Sequence, residues 1–279
     1  MATSKTALFS YSLIAVLLFV LAFPALVWLV ESWMSNPYYT HGFLVPVIAA
    51  LLAWREWKHV VAQPRGSESW MGLVVAVPSL IVIIWAMRWQ NYFAVSLALL
   101  ALLVGILLYL EGWRRVRHWI FPILFLAFMV PLPFVDLASP WLEAFTARSA
   151  TALAALAGIP AVQQGGEITL PGSTLVVGAP CSGLRSLIAM VTVGAGWVYV
   201  VQGRAWAKAL MLATVIPLVA LSNVMRIAIL LVVADLFGEE AALGYYHDWS
   251  SPVLFLVALG LLLVVGRILG CSRIRDDLF

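Results

Sequence analysis

Long apolar runs separated by short polar segments dominate this chain. Runs at about 7–30, 38–54, 71–87, 92–110, 119–135, 183–201, 209–234 and 250–267 each approach the ~20 residues that carry a helix across the hydrocarbon core of a bilayer. The pattern predicts an all-α polytopic membrane protein of about eight transmembrane helices, a single integral membrane domain over 1–279. The first run is too long for a signal-peptide core and reads as a retained span. The second is the shortest, and the third to fifth carry internal Pro or Gly, which membrane helices tolerate. A longer segment, 136–180, separates the fifth and sixth runs. In its first half, 140–158, Trp141, Leu142, Phe145, Ala152, Leu153 and Leu156 have Glu143, Thr146 and Arg148 between them. That spacing predicts an external amphipathic helix, on the outer membrane surface or folded back over the bundle. In its second half, 167–177, apolar and β-branched residues flank Pro171-Gly172-Ser173, which predicts a short hairpin-like lid.

Composition agrees with the pattern. Of 279 residues, 64% are hydrophobic and 10% charged, against roughly half and a quarter in a soluble domain. No long Lys/Arg run points to nucleic acid; the surroundings are the lipid bilayer. The basic residues are sorted by side. Lys5, Arg55, Lys58, Arg65, Arg114, Arg115, Arg117, Arg204, Lys208, Arg267, Arg273 and Arg275 all fall on one face of an eight-span arrangement. The positive-inside rule makes that face cytoplasmic, with both termini inside. Two distant cysteines make no disulfide framework, and Cys271 reads as inert in a charged tail.

Three polar clusters then fall on the outer side. Cys181 lies where Pro180 and Ser182-Gly183 give way to the sixth apolar run. A thiol at a helix N-terminus feels unpaired N–H groups and the positive dipole end, which favour thiolate. The plain alternative is a small hydrophobe in a membrane helix. Arg226 lies inside the seventh run, eight residues or roughly 12 Å below its expected outer end. An arginine there costs about 2.5–3.5 kcal/mol on insertion scales, so it marks function or a structural clamp to carbonyls, Asp235 or Asp248. Ser222 and Asn223 share its helix face and can orient the guanidinium. Arg185, one turn after Cys181, can lower the thiol pKa, bind a carboxylate or snorkel outward. His247, at the mouth of the eighth run, has an acid–base range near neutrality; the plain alternative is a solvated loop histidine. His41 is a second external histidine, and spacing does not choose between the two as the base. His59 and His118 fall in basic cytoplasmic loops and read as ordinary interface residues. No paired ligand spacing supports a metal, no cofactor is implied, and no serine-hydrolase elbow, zincin motif or phosphate loop is present.

With these residues in order, the chain resembles the exosortase/archaeosortase family of membrane cysteine transpeptidases, from about residue 36 to 257. The resemblance is carried by Tyr39-Thr40-His41-Gly42-Phe43-Leu44-Val45-Pro46, Val130-Pro131-Leu132-Pro133, Gly158-Ile159-Pro160 and Pro171-Gly172. Its strongest parts are Ala179-Pro180-Cys181-Ser182-Gly183-Leu184-Arg185-Ser186-Leu187, Ser222-Asn223-Val224-Met225-Arg226-Ile227, and His247. It implies a catalytic Cys181, Arg226 and His247, with backbone groups near Ser182 and Gly183 beside Arg226 in stabilising the oxyanion. It also implies the partners: secreted proteins whose C-terminal sorting signal joins a Pro-Glu-Pro-like motif to a membrane helix and a basic end. The implied reaction is cleavage at the outer membrane face through a thioacyl intermediate. Transfer then goes to water or an amine, with a polysaccharide or lipid-linked group as a candidate acceptor. The implied location is the cytoplasmic (inner) membrane of a prokaryote. Two other classes compete: a non-enzymatic assembly or export factor of a polysaccharide system, and a transporter. The apolar centres of runs three to five count against a transporter.

Overall fold

The computed structural model describes residues 5–64, 66, 69–171, 173–176 and 183–277. The side chains of 5–10, 136, 173–176, 243, 245, 247 and 248 fall outside the described set. The chain forms two compact units, 1–132 and 133–279.

The first unit is helical. It comprises α1 (Lys5–Ser35), a 3-10 turn (Thr40–Phe43), α2 (Leu44–Ala62), α3 (Trp70–Arg88), α4 (Tyr92–Glu111), α5 (Trp113–Phe125) and a second 3-10 turn (Leu126–Met129). Helices α3 and α4 approach with backbones nearly touching. A Cβ on Gly72 would lie 2.4 Å from the Tyr109 amide nitrogen, and one on Gly105 would lie 2.6 Å from that of Ala76. Lipid supplies no hydrophobic drive between helices, so small residues that permit close van der Waals contact hold such a crossing. The fifth run does not continue as helix to 135. After Met129 the chain turns extended at Val130 (ψ 118°), as a residue before proline must. Two of the segments that carry the family resemblance meet here. The Tyr39 hydroxyl accepts a 2.9 Å hydrogen bond from the Leu132 amide, and Trp33 Nε1 donates to the Met129 carbonyl at 2.8 Å.

Histidines 59 and 118 are more than interface residues. Their rings stack at 5.7 Å, and His118 Nδ1 lies 3.2 Å from a carboxylate oxygen of Glu56, which is buried. Close by in the same unit, Arg115 bridges Glu111 and the Gln63 carbonyl, and Tyr11 donates to Glu111.

The second unit is organised round one long helix. It contains α6 (Val135–Leu156), β1 (Val162–Gln164), β2 (Glu167–Leu170), β3 (Ser173–Val176), α7 (Leu184–Val200), α8 (Ala205–Phe237), α9 (Glu239–Leu243) and α10 (Tyr245–Ile268). Helices α6, α7, α9 and α10 all pack on α8. The lid is a three-stranded antiparallel sheet in the order β1-β2-β3, one strand more than the sequence suggested. Gln164 pairs with Glu167 and Leu170 with Ser173, so the first hairpin closes through a two-residue turn. Ile168 and Leu170 from β2 join Ala147, Ala150 and Ala154 of α6 and Ile227, Leu230 and Leu231 of α8 in one core.

The α6 helix therefore packs onto α8, the second of the two expected arrangements. Ala147, Ala150, Ala154 and Thr146 are buried, while Trp141, Phe145 and Leu156 are exposed.

Among the described residues, five helices are long and apolar enough to cross a membrane: Tyr11–Ser35, Trp70–Arg88, Tyr92–Glu111, Ala205–Phe237 and Trp249–Ile268. Leu184–Val200 is apolar but shorter. Of the two remaining predicted runs, one became α2, which carries Arg55, Glu56 and Lys58, and the other became α5, which opens on Arg114, Arg115 and Arg117.

Candidate functional site

The seventh apolar run became α8, which continues three residues beyond the predicted end to Phe237. Arg226 is thus eleven residues, about 16 Å, from the helix terminus. It is 6% exposed, as is Asn223. Asp235 does not clamp it. That carboxylate is exposed nine residues further along the same helix and makes no ion pair among the described residues.

Arg226 lines a cleft between α7, α8 and α10, together with Ser186 of α7, Ser222 and Asn223 of α8, and Ser251 of α10. Met190, Val219 and Phe255 supply apolar walls. A buried cation beside an amide and three hydroxyls, with hydrocarbon around them, is a polar spot with little screening. Charge developing on a substrate atom there meets fixed donors at low dielectric.

The polar groups are held from two sides. Ser222 Oγ donates 2.9 Å to the Leu254 carbonyl of α10, tying α8 to α10. Asn223 Nδ2 donates 3.1 Å to Thr146 Oγ1 of α6, tying α8 to α6. Asn223 also forms the seat for the start of α7. Gly183 caps that helix in the left-handed region (φ 83°), and a Cβ on it would lie 2.8 Å from the Asn223 side-chain carbon. Both the conformation and the contact favour glycine at this position. Gly183, the N-cap of α7, is therefore in direct contact with Asn223 of α8, one turn before Arg226.

The remaining predicted residues divide clearly. Cys181 and Ser182 lie outside the described residues. His247 is the third residue of α10, a helical position rather than a loop one, and one turn before Ser251; its side chain is outside the described set. Arg185 is exposed and does not line the cleft. His41 belongs to the first unit, where its ring stacks on Tyr39 at 5.9 Å.

Thr146, Ser186 and Ser251 are additions to the site that the sequence reading did not single out. Thr146, one of the polar residues spaced along 140–158, is 2% exposed and accepts from Asn223. Thr146→Val keeps the shape and removes the acceptor. It leaves a buried amide donor without its partner, which costs about 1–3 kcal/mol. A fall of several degrees in the apparent melting temperature of the detergent-solubilised protein is expected, and an unchanged value would remove Thr146 from the support of the site.

A comparison with family profiles matches residues 33–264 to the one described as transmembrane exosortase. No curated protein and no solved structure matches the chain. The match spans both units, the cleft around Arg226 and every segment on which the sequence resemblance rested. This chain is an integral membrane protein and belongs to the transmembrane exosortase family.

Proposed function

We propose that the protein is a membrane cysteine transpeptidase or protease acting on secreted proteins that carry a C-terminal sorting signal with its own membrane helix. The observation that carries this reading is the contact of Gly183 with Asn223, one turn from buried Arg226. Cys181 precedes Gly183 by two residues, a chain reach of at most about 7 Å. On this reading Cys181, the buried Arg226 guanidinium and His247 act together; the Gly183–Asn223 contact and the position of His247 one turn before Ser251, which lines the cleft, support it.

The chemistry assigns each residue one task. The Cys181 thiolate attacks the scissile carbonyl carbon, and the carbonyl π electrons move onto oxygen. Arg226 donates to that oxyanion, which is the part a planar, permanently charged fork performs best. The intermediate collapses, the C–N bond breaks, and His247 gives a proton to the departing amine. A thioacyl enzyme remains. His247 next takes a proton from the incoming nucleophile, which attacks the thioester and restores the thiolate. An amine yields transpeptidation and water yields proteolysis. Asn223 and Ser222 position Arg226 and need not touch the substrate. The reaction is assigned to the outer face of the inner membrane, with both termini cytoplasmic, on the strength of the sorted basic residues.

The direct test is co-expression with a protein bearing such a signal. Wild type should convert precursor to a shorter mature form, and Cys181→Ala should leave only precursor at unchanged membrane abundance. Normal maturation by Cys181→Ala would reject the cysteine mechanism.

A further inference from the structure

The opposite end of the second unit contains a cleft that the proposed reaction does not use. It opens between the C-terminal end of α7 and that of α10, on the side that the basic residues assign to the cytoplasm. One wall is apolar: Trp197, Leu263 and Val264. The other is polar: Arg267, Ser272 and the backbone around Cys271. The cleft is open to its surroundings on one side.

This cleft is built by a fixed tail. Residues 271–277 do not trail away from α10. Val201 and Ile274 form an antiparallel bridge, Gln202 N donates to the Arg273 carbonyl at 2.7 Å, and Arg275 N donates to the Val200 carbonyl at 2.9 Å. Cys271 N bonds the Gly266 carbonyl at 2.7 Å, and its thiol is buried against Gly203. The tail thus straps the α7–α8 turn and carries Ser272 to the cleft.

Charge at this end is unbalanced by design of the strap. Asp277 pairs with Arg275, whose guanidinium also lies 5.0 Å from the Tyr199 ring centre, and Asp276 accepts from Gln202. Both acids are therefore occupied. Among the described residues, Arg267 and Arg273 make no ion pair. Arg267 stands at the rim of an apolar wall whose Leu263 and Val264 are 40% and 52% exposed on a membrane-crossing helix.

We propose that this cleft binds one anionic phospholipid of the cytoplasmic leaflet. The phosphate is held by the Arg267 guanidinium and the Ser272 hydroxyl, and an acyl chain lies along Trp197, Leu263 and Val264. A guanidinium pairs phosphate bidentately, and basic pockets between membrane helices on the cytoplasmic side suit such headgroups. The apolar wall selects a lipid over a free anion, because a soluble phosphate would leave it uncovered. This inference is independent of the catalytic reading.

The test is native mass spectrometry of the full-length protein, incubated with phosphatidylglycerol or phosphatidylcholine of identical chains. Wild type should retain one phosphatidylglycerol about fivefold better than phosphatidylcholine. Arg267→Gln should abolish that preference, and Val264→Trp, which fills the wall and keeps the charge, should reduce retention of phosphatidylglycerol by a similar factor. Arg204→Gln, a basic residue of the same end outside the cleft, should retain it as wild type does. Inorganic phosphate should leave the melting temperature unmoved where phosphatidylglycerol raises it. Equal retention by wild type and Arg267→Gln would overturn the site, and stabilisation by inorganic phosphate equal to that by the lipid would overturn the identity of its occupant.

Discussion

Arg226→Lys is expected to accumulate in the membrane at nearly the wild-type amount yet process substrate a hundredfold to a thousandfold more slowly. The expectation follows from where the residue lies. It is 6% exposed, in a helix that crosses the membrane, beside Asn223, Ser222 and Ser251. Lysine keeps the charge only while it keeps its proton, and burial in a span favours losing it. Even protonated, an ammonium on a flexible stem presents no planar pair of donors. Loss of one oxyanion donor costs about 2.7–4 kcal/mol of barrier. Quantitative blotting of membranes and a time course of precursor conversion separate the two outcomes. Near-normal conversion would reject the catalytic role. Loss of the protein from the membrane would identify Arg226 as a structural clamp instead. Arg185→Lys serves as the contrast: Arg185 is exposed and does not line the cleft, so conversion should fall far less.

The second large effect is on the substrate. Removing the membrane helix of the sorting signal while keeping the scissile motif should abolish processing under conditions where the tethered form matures fully. The cleft around Arg226 lies among α7, α8 and α10, two of which are long enough to span the bilayer. A tail anchored in the same bilayer meets such a site at a high effective concentration, and tethering of this kind is worth about a hundredfold to ten-thousandfold without new contacts. A soluble substrate form processed at the tethered rate would place recognition in the soluble motif alone.

Much of the second unit was legible in the sequence because length and hydropathy report spans directly. The runs at 183–201, 209–234 and 250–267 became α7, α8 and α10 with boundaries shifted by only a few residues, except that α10 starts at Tyr245 and takes His247 into its first turn. The polar face of Ser222, Asn223 and Arg226 was legible because helical spacing puts residues three and four apart on one side. The face by which α6 packs was not legible, because amphipathic spacing leaves such a helix either on the membrane surface or folded back over the bundle. Ala147, Ala150 and Ala154 share one core with α8, and Trp141, Phe145 and Leu156 are exposed. In lipid, close packing of small residues outweighs burial of large ones. Thr146 belongs to that packed face and was missed with it.

Other features depend on pairing across sequence distance, which periodicity does not encode. The strap of 271–277 over the α7–α8 turn is held by backbone hydrogen bonds, so the tail read as a loose charged end, and Cys271 is in fact buried. The Glu56–His118 contact spans two helices whose charged residues resembled ordinary cytoplasmic flanks. The first strand of the lid, Val162–Gln164, is too short to announce itself, and only its pairing with β2 defines it. Cys181, the residue on which the mechanism turns, rests on the sequence and on its two-residue distance from Gly183.

The central claim is a covalent acyl bond on Cys181, and detecting that bond is the most direct measurement. Membranes containing wild-type protein and a tethered substrate would be quenched in acid during turnover, digested, and searched by mass spectrometry for a substrate fragment on the peptide containing Cys181. The account predicts an adduct with the mass of the acyl portion, released by hydroxylamine as a thioester is, and absent from Cys181→Ala. Processing at full rate with no such adduct, and undiminished in Cys181→Ala, would contradict it.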